Sequence, residues 1–552
     1  MVQETSRKIS EWTAVPQSNA ALLVPATVAG VTYRASVALD GVDPCNPAYG
    51  AVGDGVTDDK ARLLLAITAA VALGKPVRGF GRTYGISGNL TLIAGAWLQD
   101  INFKQLTPAA GTVRTLTSAG GDNIRLERVT VNRNGDGTDG ALAADAGIYI
   151  DGGDGHYFED VEVYGDDMGT GFTVQNGSAF TVVRLHVHDI NYSLGSSPGD
   201  DRVQGFWFND CSNFRLIDTL VHDLGGNFGS GATTRYSRNT IGGCSEFTVI
   251  NPVAYNIDQA FDMTGSAGNV RWSVTGGLSR DCYSHGFKFS SSSRDGTVTG
   301  AVAERCGRIG FVVSGPSEAS LPILSGDIVF SNCVAYDTGS NGAWPNESGF
   351  RVESSAFDTD TPRGVRFIGC KAHDRQGSPT MVYGFNNDIA AHTDGRYNEP
   401  IDCVSIGHTT SAFNGFNYPR CEVSLTAAQQ IGTAAWTVVN WDADVDFGAM
   451  HDTASSNSDV RTRRNGFFLS SWGVVFAANA TGQRGVRILR NGSVIPGTTA
   501  LVDAAAAGET ALQVSWTSEM GPGDNVRIEV WQSSGGDLNL QTSSGGVVEQ
   551  VG

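Results

Sequence analysis

From residue 147 a short hydrophobic step recurs along the chain: a glycine, an aromatic or isoleucine, one variable residue, then usually a second apolar one. It reads GIYI at 147, GFTV at 171, GFWF at 205, GFKF at 286, GFVV at 310, GFRV at 349, GFNN at 384 and GFNY at 415, and AFDM at 260 fits the same slot. Each step is followed by a polar turn and a second short strand, as in FTVVRLHVHD, FRLIDTLVHD, GTVTGAVAERC, DIVFSNCVAYD and GVRFIGCKAHD. Two intervals are 24 residues and one is 26; the interval of 55 between 205 and 260 predicts two coils, with the break near Gly242-Gly243. A repeat of this length, with short strands and no helix, predicts a parallel β-helix whose coils stack about 4.8 Å apart. In GFxV the two apolar residues point inward, so the residue between them points out. The Leu-x-x-Leu-x-Leu signature of leucine-rich repeats is absent, and propeller blades need about 40 residues.

Ahead of the repeats, residues 1–44 read as a short irregular arm ending in a strand. Next comes the turn-rich AYGAVGDGVTDD, leading into KARLLLAITAAVALGKPV. Leu63, Leu64, Ile67, Val71 and Leu73 are spaced as one helix face; Thr57 or Asp58 is the predicted N-cap, and Gly74 the C-terminal stop before Pro76. After about residue 421 the Gly-aromatic steps end. Alternating runs such as AAWTVVNWD, NGFFLSSWGVVFAA, GVRILRNG, TALQVSW and NVRIEVWQ follow, joined by turns at Asn491-Gly492 and Gly521-Pro522-Gly523-Asp524. This predicts an antiparallel sandwich. The expected divisions are an arm over 1–44, a β-helix over 45–421 and a sandwich over 422–552.

Composition narrows the function. The net charge of −19 disfavours nucleic acid as the main partner, because phosphate binding needs a basic surface. The 71 glycines against 17 prolines, with no Gly-X-Y period, fit many short strands and turns. No apolar run is long enough to span a membrane, and MVQETSRKIS lacks the layout of a signal peptide, so neither a membrane partner nor a cleaved export signal is expected. Nine cysteines without a CxxC pair, with Cys333, Cys370 and Cys403 in similar settings, read as free thiols packed as small apolar side chains.

The stretch AYGAVGDGVTDDKARLLLAITAAVALGKPVRGFGRTYGISGNLTL resembles the opening of pectin-lyase-like right-handed parallel β-helix proteins, among them bacteriophage tailspike depolymerases and polygalacturonases. The resemblance rests on Gly53-Asp54-Gly55-Val56-Thr57-Asp58-Asp59, which in that family precedes a helix capping the open end of the solenoid, and on GFGRTYGIS with Tyr84 in the place of the family's tyrosine. It covers roughly residues 45–420. The tail resembles a tumour-necrosis-factor-like jelly roll through Asn440-Trp441-Asp442, His451-Asp452, Asn465-Gly466-Phe467-Phe468 and VWQSSGGDL at 530–538. Such domains are usually trimeric. The segment VPATVAGVTYRASVAL resembles the one that precedes the β-helix in phage tail proteins. Together these imply an all-β tailspike: a homotrimer that acts outside the cell from the virion tail on a bacterial capsular or exopolysaccharide, with its N-terminal arm meeting a tail or baseplate protein.

Motifs for serine hydrolases, nucleotide binding and zinc proteases are absent. The pairs His188-Asp189, His222-Asp223, His373-Asp374 and His451-Asp452 suggest a metal, but zinc needs four converging ligands. The first three fall at one coil position and read as a stacked turn ladder bonding its own backbone. No metal and no cofactor are expected.

The outward column gives Thr173, Trp207, Asp262, Lys288, Val312, Arg351 and Asn386 on successive steps, then Glu353 two residues after Arg351. Asp262 and Lys288 come about 5 Å apart on adjacent coils. The turns before their strands add Asp258 and His285. An Asp pair followed one coil later by His-Gly resembles the polygalacturonase site, although that family's Asn-x-Asp and Arg-x-Lys segments are missing. A surface ion pair is the plain alternative for Asp262 and Lys288. Hydrolysis needs two carboxyl groups, for which Asp258, Asp262 and Glu353 are candidates. A lyase needs a base and cations facing a uronate, for which His285, Lys288 and Arg351 would serve. The acidic candidates outnumber the basic ones and favour hydrolysis. A glycan-binding fibre without activity is the non-enzymatic alternative. Inserts between coils bring Arg235, Tyr236, Arg238 and Trp344, which with Trp207 and Arg351 are expected to bind sugar, because aromatic faces stack on sugar rings and loops on rigid scaffolds carry binding. Asp200 and Asp201 are reserve candidates.

Overall fold

The computed structural model describes residues 21–28, 31–38 and 41–550, except 107–112, 134–144, 167, 194–202, 228–231, 234–236, 265–267, 291, 316–325, 340–346, 354–361, 389–397, 415, 417–419, 447–449, 454–456 and 463–465. Two units emerge. One holds Met1–Pro362, Lys371–Gly384 and Val404–Ala412; the other holds Arg363–Cys370, Phe385–Cys403 and Phe413–Gly552.

The first unit begins with Ala21–Val28 and Val31–Ala38 paired as an antiparallel hairpin. One strand was expected there; the chain forms two. The GDG segment then folds on its own carboxylates. Asp54 accepts from the Val56 and Thr57 amides at 2.9 and 2.7 Å and from the Thr57 hydroxyl. These bonds, the Thr57 amide first, hold its carboxyl below the usual range. Asp59, with its side chain fully buried, accepts from the Val52 and Gly53 amides at 2.8 and 2.9 Å.

The helix runs Lys60–Leu73 with Asp59 as N-cap, correcting Thr57 or Asp58. Asp58 accepts from the Lys60 amide at 3.2 Å and from the Ser87 hydroxyl. Gly74 closes the helix in the left-handed conformation at φ 61°, as its position predicts. The buried stripe is Leu63, Ala66, Ile67 and Ala70, while Leu73 is exposed. Two alanines within it let the helix lie close against the first-coil strands Val77–Arg78, Leu90–Thr91 and Trp97–Gln105.

Beyond the helix the chain is a right-handed parallel β-helix. One wall is a parallel sheet built from Leu90–Thr91, Arg114–Ala119, Ala146–Asp151, Thr170–Gln175, Val203–Asn209, Ser237–Gly242, Gln259–Met263, His285–Phe289, Ile309–Ser314 and Ser348–Glu353, each pairing with the next. Ser237–Gly242 is the coil hidden in the 55-residue interval. The interior is an aromatic ladder: Phe261, Phe287, Phe311 and Phe350 stack at 5.0, 5.1 and 4.8 Å. Phe180, Phe214 and Phe247 form a second stack at 4.8 and 4.9 Å. The glycine of each step serves close approach rather than a turn. A Cβ on Gly310 would lie 2.8 Å from the Gly349 carbonyl oxygen, so the column admits no side chain without a backbone shift. All nine cysteines are free; Cys333 and Cys370 are buried and Cys403 is half-buried.

In the second unit Arg366–Ile368 pairs in parallel with Glu399–Ile401, and Phe385 stacks on Phe413 at 5.1 Å. From Arg420 onward pairing is antiparallel, in two sheets that form the jelly roll. One is centred on Gly466–Phe476, which pairs with Thr510–Met520 and Gly545–Gln550. The other is centred on Gln483–Arg490 and Asn525–Gln532. Trp441 stacks on Trp472 at 5.5 Å between them, among Phe468, Phe476, Ile488 and Ile528. Asn491 and Gly492 both have positive φ, the geometry a two-residue Asn-Gly hairpin requires.

Replacing Asp59 by alanine removes the partner of two partly buried amides and an anion beside a helix N-terminus. The expected cost is about 1–3 kcal/mol. Because the damage is local, hydrogen exchange is expected to accelerate over residues 50–75 while the later coils keep wild-type protection. Unchanged exchange in that segment would show that Asp59 does not hold the cap.

Candidate active site

The register of the parallel sheet sets one column of residues between the apolar pairs: Tyr149, Thr173, Trp207, Thr240, Asp262, Lys288, Val312 and Arg351. The sequence placed all but Tyr149 and Thr240 in this column. Thr240 escaped because its coil lacks the Gly-aromatic step. Trp207 therefore stands two coils from Asp262, about 10 Å at the strand spacing.

The column is less open than its outward direction implies. Thr173, Thr240, Asp262 and Val312 are buried, and only Trp207, Lys288 and Arg351 are half-exposed. Short side chains are overlain by long neighbours one coil away, as Val312 is between Lys288 and Arg351. Asn386, also expected outward, is buried and accepts from the Asn414 amide at 2.8 Å.

Asp262 is 1% exposed. Its Oδ2 accepts from Arg238 Nη1 at 3.0 Å, and its Oδ1 faces Lys288 Nζ at 3.7 Å. The solvated ion pair considered from the sequence is thus a buried carboxylate between two cations. Arg238, expected to bind sugar, reaches Asp262 because a register shift between Arg238 and Thr240 brings the two strands' side chains together. Removing one partner from such a group costs far more than at the surface, since charge is left buried.

Around this triad lie several buried polar atoms that no described residue hydrogen-bonds: Arg238 Nε, Thr240 Oγ1, Gln259 Oε1, Asp262 Oδ1 and Ser290 Oγ. Buried polar groups in proteins are nearly always paired, so a concentration of unpaired ones on neighbouring coils is a feature that needs an explanation.

The other candidates form a flank. Asp258 is buried, and its amide donates to Ser237 Oγ at 2.9 Å. His285, one coil on and in register with Gln259, is buried with Nδ1 2.7 Å from Ser284 Oγ. Arg351 Nε lies 3.4 Å from Glu353 Oε2, three coils from Asp262 along the column. Glu353 and Asp262 are therefore not brought together as a pair. Arg308, which the sequence reading missed, joins the two groups: burial pushes its guanidinium below its ordinary value, and Glu353, Arg351, Glu347 and Asp258 are its charged neighbours. It lies in CGRIGF, just before a Gly-aromatic step, as His285 does in YSHGF, and that position was the available signal. Arg235, Tyr236, Trp344, Asp200 and Asp201 lie outside the described residues.

On the opposite wall, the three His-Asp pairs do share one coil position. His188, His222, Tyr255, Arg280, Glu304, Tyr336 and His373 follow one another in register. Asp189 and Asp223 take left-handed φ of 50° and 53°. The ladder differs from the expectation in its bonding. The Asp189 and Asp223 carboxylates meet the ring of the preceding histidine at 2.7 Å, whereas Asp374 accepts from the Gln376, Thr380 and Met381 amides. His451 lies in the jelly roll, where its carboxylate partner is Asp444 at 2.8 Å.

No known family model matches the chain, and no curated protein matches it. Among solved structures, it is similar to the A-module of the Azotobacter vinelandii mannuronan C-5 epimerase AlgE6, at 16% identity and a TM-score of 0.44, over 67% of this chain and 95% of that one. It is similar to the AlgE4 A-module of the same organism at 18% identity and a TM-score of 0.39, over 68% and 100%. A 24% portion is similar to 99% of murine APRIL, at 12% identity and a TM-score of 0.20.

Proposed function

We propose that this chain is an endo-acting polysaccharide depolymerase of the tailspike kind, cleaving a bacterial capsular or exopolysaccharide by glycoside hydrolysis on the wall that carries Trp207, Asp262 and Lys288. The observation that carries the reading is the Arg238–Asp262–Lys288 triad, a buried carboxylate between two partly exposed cations. A rigid wall with accessible cations, and an indole about 10 Å along the same column, suits a chain of hydroxylated rings.

Hydrolysis by this site needs one carboxylate to activate water or attack the anomeric carbon, and one carboxylic acid to protonate the leaving oxygen. Asp262, between two cations, is suited to the charged role. Asp258, just before the same strand, is the second carboxyl group. Arg238 and Lys288 orient Asp262, and Arg351, paired with Glu353, adds positive charge farther along the same column. A lyase reading draws on the same residues, with Lys288 or His285 as base and the arginines facing a uronate. Only the lyase leaves an unsaturated uronate at each new chain end, visible by its ultraviolet absorbance.

The jelly roll is taken to hold three copies together, and the hairpin at Ala21–Val28 and Val31–Ala38 to meet the tail. Exposed Val494, Leu501 and Val502 lie on strands flanking Gln483–Arg490 and offer apolar surface for such contacts. The full-length chain is expected to scatter light at three times its chain mass at micromolar concentration. A monomer under those conditions would overturn the assembly.

Asp262→Asn is expected to leave the fold intact and to lower turnover of the host polysaccharide by about 10²–10⁴-fold, the usual contribution of an acid–base group. Asp258→Asn is expected to act in the same direction. Size-exclusion profiles of the digested glycan measure both. Near-wild-type cleavage by both variants would remove the assignment, and binding without any cleavage by the wild type would favour a receptor fibre.

A further inference from the structure

The wall opposite the triad holds a second constellation. We propose that His186, His188 and His222 form a binding site for one divalent transition metal, best fitted to zinc, that clamps two successive coils. The three imidazoles each offer a ring nitrogen, and these atoms all lie within 4.8 Å of one another. His186 Nε2 and His222 Nε2 are 3.0 Å apart, close to the about 3.3 Å edge of a tetrahedron with metal–nitrogen bonds near 2.0 Å. Glu162 Oε1 lies 3.2 Å from His188 Nε2 and 3.9 Å from His186 Nδ1, beside the cluster rather than among its converging ligand atoms.

The coil register brings these groups together. Glu162 pairs with His186 across one coil step, and His188 with His222 across the next. His186 and His188 sit two residues apart on one strand and so share a face. The sequence reading weighed only the His-Asp pairs and found too few converging ligands. His186 was the missing member, because it has no aspartate beside it and its partner lies 36 residues away.

The surrounding residues act as a metal site's outer layer acts. His188 donates its Nδ1 proton to Asp189, and His222 donates its own to Asp223, each at 2.7 Å. Each bond fixes the ring and turns the Nε2 lone pair toward the cluster. Asp223 is held in turn by the Asn256 amide at 2.8 Å, and Glu162 Oε2 accepts from the Thr130 hydroxyl at 3.1 Å. Carboxylates of this kind orient and strengthen histidine ligands. Tyr164 and Tyr255 close the stack from either end, at ring distances of 5.2 Å to His188 and 4.6 Å to His222. Three imidazoles select borderline metals over calcium or magnesium, which prefer oxygen. The site ties residues 186–188 and 222 together and leaves the fourth position of a tetrahedron to water.

The test uses the full-length chain stripped with a chelator and titrated with zinc alone in a calorimeter. One zinc per chain is expected, with an upward shift of the thermal midpoint that calcium does not reproduce. His186→Gln changes a partly exposed side chain and is expected to keep the metal-free melting temperature while weakening zinc binding at least about 100-fold. Asp223→Asn, which removes only the outer carboxylate, is expected to weaken it by about 10–100-fold. His373→Ala, in the same column but outside the cluster, is expected to change nothing. Cobalt substituted for zinc is expected to show a tetrahedral nitrogen–oxygen spectrum. Absence of a saturable site, unchanged affinity in His186→Gln, or a cobalt spectrum with thiolate bands would each overturn the proposal.

Discussion

The rest of the first unit depends on one constraint: each residue of a coil must tolerate its counterpart about 4.8 Å away in the next. Parallel hydrogen bonding imposes that spacing on every column. Flat rings meet it by stacking, which is why Phe261, Phe287, Phe311 and Phe350 share one column at ring distances near 5 Å. Backbones meet it by shedding side chains, as Gly310 does under the Gly349 carbonyl. Some corner charges meet it by pairing: Arg305 lies over Asp281, and Arg375 reaches Asp337.

The same constraint builds both candidate sites. A polar residue placed in a column gains neighbours from coils 21–39 residues away, so a cluster needs no local motif. Asp262 has Lys288 as its neighbour by register alone, and gains Arg238 through a local register shift. The three histidines converge from two strands, with Glu162 on a third. Column geometry also explains why the Asp262 carboxylate is buried on a wall that faces outward. Arginine and lysine side chains are longer than the coil spacing, so they lie across their short neighbours and take them out of water.

Much of this was legible in the sequence because the repeat is written in residue types. The Gly-aromatic steps identified the column, including Trp207, Asp262, Lys288 and Arg351, and the Asn491-Gly492 turn marked a hairpin of the sandwich. What was not legible depends on where the repeat is irregular. Ser237–Gly242 has no Gly-aromatic step, so Thr240 was not placed and Arg238 was read as part of an insert. The N-cap was misplaced for a different reason. Thr57, Asp58 and Asp59 are all competent caps, and the choice follows from Asp58 being drawn to Ser87 and Asp59 to the Val52 and Gly53 amides, contacts that composition does not order.

The two walls also use charge differently. At the triad, Asp262 is removed from water and balanced by two cations. At the histidine cluster, the carboxylates Asp189 and Asp223 remain well exposed, and their effect is to orient rings. A wall that holds a carboxylate between two cations is suited to chemistry on a bound ligand. A wall of oriented rings on fixed strands is suited to holding an ion. Both arrangements follow from the residue type placed in a column and from whether its neighbours one coil away are long or flat.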